Sequence, residues 1–247
     1  GSDGTIDIYI RGAGPTVGHI FSTAEPFDGE WHHVVFVQDN LARSIYVDGV
    51  LDDLAIAAKP DSGWADLDAT TIGGILRGSA SHWVTGLIDE VAIWKRALSA
   101  EETALLHSEG LPGPVITENG LNLIASWDFN DDSDPAGSVD SVQGITGVFV
   151  GGAKYGEGRE GAGSALDING SATAAMLVED GEFLNTASSL NKVTFAFWQK
   201  VVTRTSSSSF WAFSPTAAAG GRGAQAHAPW GGGDIFWDTA GCCGGGD

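Results

Sequence analysis

The chain has 247 residues, 43% of them hydrophobic, enough for one large β domain or two small ones with a real core. Its formal net charge of −20, from 12 basic and 32 acidic residues, repels phosphate backbones and argues against nucleic acid and anionic membranes as partners. No apolar run of about 18 residues occurs, so no membrane-inserted helix is expected.

The 36 glycines are about twice the ~7% share of an average chain and suit an all-β protein with many tight turns. Residues 5–10 alternate with a period of two, as a strand does. Residues 33–37 form a continuous apolar run suited to a buried strand. Residues 44–47 lead into Asp48-Gly49, a two-residue hairpin signal, and residues 51–57 read as the return strand. Strands follow at 70–75 and 87–94. Ser99-Ala100-Glu101-Glu102 is a capping box that opens a short helix near 99–109, expected to stop at Gly110. Pro112-Gly113-Pro114 cannot continue that helix and marks a linker at 113–119.

Beyond the linker, strands are expected near 121–129, 145–150, 164–168, 193–202 and 210–213, with a polar loop at 205–209. The segment 231–237 faintly repeats 4–10. Cys242 and Cys243 are adjacent, close no long loop and do not define a redox compartment.

Two stretches carry a family resemblance. Phe27-Asp28-Gly29-Glu30-Trp31-His32-His33-Val34-Val35 with Asp48-Gly49, and Gly86-Leu87-Ile88-Asp89-Glu90-Val91-Ala92-Ile93-Trp94, resemble the second half of laminin G-like modules. These modules belong to the concanavalin A-like lectin/glucanase superfamily. Leu121-Asn122-Leu123-Ile124-Ala125-Ser126-Trp127-Asp128-Phe129 is similar to the opening strand of such a module, and 161–168 and 193–198 continue that first half. The order is therefore inverted: residues 1–112 read as a C-terminal half and 120–247 as an N-terminal half. The resemblance implies an antiparallel jelly-roll β-sandwich, either circularly permuted within one chain or completed by a neighbouring chain.

Several residues invite a chemical reading. In Trp31-His32-His33, strand alternation puts His32 and His33 on opposite faces, so they do not converge on one ion, and the step reads as packing. Asp89-Glu90 suggests the paired carboxylates of a glycosidase. The Glu-x-Asp-x-x-Glu motif of family 16 glycoside hydrolases is absent, so no enzyme is expected. The resemblance instead implies Ca²⁺ between Asp89 and Asp128, since hard carboxylate and carbonyl oxygens suit that ion. The alternative is that Asp89 bonds a turn and Asp128 is solvated. The acidic run 128–134 reads as a solvated loop or a looser Ca²⁺ site.

Trp31, Trp94, Trp127 and Trp198 fall in strands and are expected in the core. Trp64, Trp83, Trp230 and Trp237 lie nearer loops, with His82 beside Trp83. These five are the candidate carbohydrate-binding residues, because sugar C–H faces stack on aromatic faces. The alternative is that they pack beneath the loops. The chain thus reads as a non-catalytic binding or adhesion module of an extracellular or cell-surface protein, recognising a glycan or an extracellular protein ligand. The other reading is a structural subunit of a filament or surface array, in which half-modules complete one another between copies of the chain.

Overall fold

The computed structural model describes residues 7–8, 20–21, 24, 26–40, 42–56, 67, 69–75, 81–110, 122–161, 163–168, 173–190, 192–203, 205–214, 221–230 and 234–239. The expected linker at 113–119, and Cys242 and Cys243, lie outside the described residues.

Residues up to 110 begin with two short strands, β1 (Asp7–Ile8) and β2 (Ile20–Phe21). A meander follows, of β3 (Trp31–Asp39), β4 (Ala42–Val47) and β5 (Val50–Ile56). Asp48 (φ 50°) and Gly49 (φ 77°) turn β4 into β5, as a hairpin with two left-handed residues requires. Then come β6 (Ala69–Ile72), β7 (Gly86–Trp94) and the helix α1 (Ala100–Glu109).

Residues from 122 onward add β8 (Leu123–Trp127), β9 (Gly137–Val139), β10 (Thr146–Val150) and β11 (Lys154–Glu157). They continue with β12 (Ser164–Asp167), β13 (Ala175–Val178) and a short helix α2 (Asn185–Leu190). The last strands are β14 (Lys192–Val201), β15 (Phe210–Ser214), β16 (Gly221–Trp230) and β17 (Asp234–Thr239).

Two antiparallel sheets form a β-sandwich of the jelly-roll class. One runs β11-β12-β7-β14-β3-β4-β5, with β8 beside the C-terminal half of β7. The other runs β17-β16-β15-β6-β13-β10-β9. Strands from residues up to 110 and from residues 122 onward interleave in both. β14 pairs with β3 from Lys192 opposite Asp39 to Lys200 opposite Trp31. Its other edge pairs with β7 from Thr194 opposite Trp94 to Val201 opposite Gly86. β6 lies between β13 and β15, so that Thr71 faces both Leu177 and Trp211.

The core between the sheets draws on both parts of the chain. Phe36, Ile45, Ile72, Ile88 and Ile93 pack with Trp127, Phe129, Met176, Phe195 and Phe210. A second, smaller cluster lies outside the first sheet, where Leu106 of α1 and Leu98 before it cover Val35, Tyr46, Trp94 and Ala196. The capping box holds α1 in place: Glu102 N–H donates to Ser99 Oγ at 3.2 Å and Ser99 N–H donates to Glu102 Oε2 at 2.8 Å. Gly110 (φ 73°) ends the helix with its N–H on the Leu106 carbonyl. Thr194 of β14 ties this corner down, donating to the Arg96 carbonyl at 2.8 Å and accepting the Leu98 N–H at 3.0 Å.

No strand was expected from the sequence at β2, β9, β11, β13 or β16, and no helix at α2. β16 is rich in Gly and Ala, and its buried residues include Ala226 and Ala228, so it has no large apolar periodicity. β9, β11 and β13 are short, which leaves little room for alternation to show. The polar run 205–209 is a loop, yet Ser207, Ser208 and Ser209 are buried.

Phe195 is 1% exposed and its ring centroid lies 4.1 Å from that of Phe210 across the core. Phe195→Ala is expected to cost roughly 3–5 kcal/mol, the range for Phe deletions in packed cores, read as a lowered denaturant midpoint in one cooperative transition.

Candidate functional site

The described rim residues are held at one end of the second sheet. Ile75 and Ser81 exchange backbone hydrogen bonds of 2.9 Å, and Val84 N–H donates to the Gly73 carbonyl. His82 sits between them with φ 57°, a left-handed conformation that ordinary side chains adopt at a cost. Trp83 is half-buried and its ring lies over Gly74, where a Cβ would stand 2.2 Å from Trp83 Cε3. Gly74 is thus the residue that makes room for the ring.

The buried serines fasten this turn to β16. Ser208 N–H donates to the His82 carbonyl at 2.8 Å, and Ser207 N–H donates to the Pro229 carbonyl at 2.7 Å. Ser209 Oγ donates to Gln199 Oε1 and lies 3.1 Å from the Ala228 carbonyl, to which Gln199 Nε2 donates at 2.9 Å. Two adjacent serines therefore bring the backbone at His82–Trp83 and at Pro229–Trp230 together. Trp230 closes β16 opposite Asp234, and Trp237 stands in β17 opposite Ala226. The side chains of Trp230 and Trp237, and Trp64 as a whole, lie outside the described residues.

The expected cation pair sits elsewhere. Val91 pairs with Trp127, so Asp89 and Asp128 leave the same end of the β7–β8 pair. The register of β7 against β14 slips here, with Ala92 opposite Ala196 but Asp89 opposite Trp198. The extra residue is a β-bulge, and Glu90 within it has φ 49°. Phe129, just past Asp128, has φ 55°. Asp89 is 3% exposed. It accepts Glu90 N–H at 2.8 Å on Oδ1 and Arg159 N–H at 3.3 Å on Oδ2. Burial pushes its pKa up to about 7 against the pull of those two N–H groups.

Asp128 is exposed and accepts Asn130 N–H at 3.1 Å. Among the described residues no group of three or more His, Cys, Asp or Glu side chains gathers as a metal cluster. A buried carboxylate held near neutrality is a group that a hard cation would ionise, and oxygen donors fit Ca²⁺. Such an ion would draw on Asp89, Asp128 and main-chain carbonyls. In the run 128–134, Asp131 and Asp134 cap Ser133 N–H and Ala136 N–H within the loop.

Trp198, His33, His107 and Arg159 form a stack on the outer face of the first sheet. The Trp198 ring lies 5.1 Å from His33 and 5.4 Å from His107, with the Arg159 guanidinium 4.2 Å above it. The neighbouring histidines behave oppositely. His32 is held between carboxylates, with Nδ1 2.8 Å from Asp48 and Nε2 3.1 Å from Asp28, and its pKa is raised, chiefly by the Asp48 hydrogen bond. His33 is 2% exposed, and burial lowers its pKa to about 3.

Comparisons with known proteins cover part of the chain. Residues 1–104 match the model of one family, described as the concanavalin A-like lectin/glucanases superfamily. The adhesion G-protein coupled receptor D1 of Homo sapiens is similar, at 27% identity over 112 residues. That match covers 45% of this chain and 12% of the receptor. No solved structure matches the chain. Together these support a laminin G-like adhesion or binding module. Among the described residues no helix is long and apolar enough to cross a membrane.

The raised pKa of His32 gives a signed expectation. Its pairing stabilises the fold below the unfolded value of 6.5 and fades as pH rises through the raised native value. Depressed His33 acts the other way and costs stability as pH falls below 6.5 toward about 3. The melting temperature of His32→Gln should fall below that of the unsubstituted chain most strongly near about pH 5.5, with the gap closing by about pH 9. An unchanging gap would contradict the ion-pair account.

Proposed function

We propose that this chain is a non-catalytic adhesion module of a secreted or cell-surface protein, and that it recognises carbohydrate at the rim built around His82 and Trp83. The observation that carries the reading is the half-buried Trp83, its ring laid over Gly74, on a turn clamped to Ser208 and, through the adjacent Ser207, to the end of β16. A partly open aromatic face on a braced turn is the element that stacks against a sugar ring. His82 belongs to the proposed platform, and Trp64, Trp230 and Trp237 are its further candidates from the sequence. The acidic surface and the likeness to an adhesion receptor support an extracellular setting. Ca²⁺ at Asp89 and Asp128 belongs to the same proposal as a structural tie between β7 and β8.

Glycan-array screening followed by titration of the best ligand tests the site. Trp83→Ala is expected to weaken binding by about tenfold or more, equivalent to ~1.4 kcal/mol, with the circular-dichroism spectrum unchanged. Gly74→Ala, which drives a Cβ into the ring, should weaken binding in the same direction. No glycan bound by the chain, or full binding by Trp83→Ala, would overturn the reading. Added Ca²⁺ should raise the melting temperature of the unsubstituted chain and leave that of Asp89→Asn unmoved. Equal responses from the two proteins would remove Asp89 from the site.

A further inference from the structure

The two parts of the chain are incomplete without each other in a specific way. Residues up to Gly110 supply β3 and β7 to the first sheet, and these two strands do not touch as a pair; β14 fills the slot between them. The same residues supply only β6 to the second sheet, inserted between β13 and β15. On the other side, β12 and β8 find their neighbour in β7. The fit is sequence-specific as well as hydrogen-bonded. Phe195 stands opposite Phe36 and Ile93, and Thr194 seats the Arg96–Leu98 turn. Lys192 pairs with Asp39 at 2.7 Å where β14 begins.

We propose that the slot between β3 and β7 is an interaction surface for a second copy of this chain, and that two copies exchange complementary parts, each β14 seating in the slot of the other. In the exchanged dimer every contact between the two parts is reproduced, so packing energy does not distinguish it from the closed monomer. What distinguishes them is concentration. A short connection between the parts holds them at an effective concentration of order millimolar, so exchange sets in as the chain approaches that level. The bare slot presents unpaired backbone edges on both β3 and β7, which only a strand of matching register satisfies. The proposal rests on strand topology and not on the glycan reading, since Asp39 and Lys192 lie at the opposite end of β3 and β14 from Trp31 and Lys200 and take no part in the Trp83 rim.

Two single-cysteine chains test it, Asp39→Cys and Lys192→Cys, each with Cys242 and Cys243 replaced by serine. They are mixed in denaturant, refolded together at about 1 mM and at about 10 µM, and oxidised. The expected result is a disulfide-linked 39–192 heterodimer in at least about a tenth of the chains at the higher concentration, and almost none at the lower. Light scattering of the unsubstituted chain refolded the same way should show a matching dimer fraction. Monomers alone at both concentrations would overturn the proposal. The double variant Asp39→Cys/Lys192→Cys in one chain reports on the register. It should cross-link within the monomer at low concentration, and failure to do so would also overturn the proposal, because the slot would then not hold β14.

Discussion

The insertion of β14 between β3 and β7 is the constraint on which the rest depends. This strand is buried for most of its length, and its two edges carry the backbone pairing that makes one sheet from two separated segments. Its inward side chains, Val193, Phe195 and Phe197, join the core, while Ala196 and Trp198 face the outer layer. A parallel pair would need a crossover connection, but all these pairings are antiparallel, so long-range chain order is unconstrained by the sheet itself. The resulting contacts are far apart in sequence, a topology that folds slowly because loop closure precedes the pairing that rewards it.

The outer layer follows from the same strand. Trp198 could not sit under His107 of α1 and the Arg159 guanidinium unless β14 ran beside β3, which brings His33 against the same ring. This explains the paired histidines. His33 is committed to an aromatic stack and stays neutral, while His32 is turned to Asp28 and Asp48 and favours its charged form. The bulge at Glu90 lies where Trp198 meets Asp89, so the carboxylate is buried by the strand that also builds the stack.

Much of the fold was legible because its signals are local. Asp48-Gly49 demands a hairpin, Ser99 to Glu102 caps a helix, and the apolar runs at 33–37 and 193–199 are buried as their composition requires. Of the four tryptophans expected in the core, Trp127 lies in the central core, Trp94 is buried under α1 and Trp198 in the outer stack, while Trp31 is only half-buried. Strand β16 was invisible because alanine carries the inward positions, and the serines at 207–209 look solvated although they bond β16 from a buried loop. The rim was legible only as a set of residue types. That His82–Trp83 meets Pro229–Trp230 through two serines depends on tertiary hydrogen bonds that no spacing in the sequence announces. The role of Gly74 was hidden likewise, because it depends on where one indole ring lies.

Adhesion at a braced aromatic rim and a sandwich knitted from two interleaved parts are compatible demands. The rim sits on the second sheet, where β6 from one part lies among strands of the other, so its geometry presupposes closure. Native-state hydrogen exchange tests that closure most directly. If the account holds, the backbone N–H groups of β14 at 193–199 exchange with the same opening free energy as those of β3 and β7, equal to that of global unfolding. Protection of β3 and β7 that persists while β14 exchanges freely would contradict it.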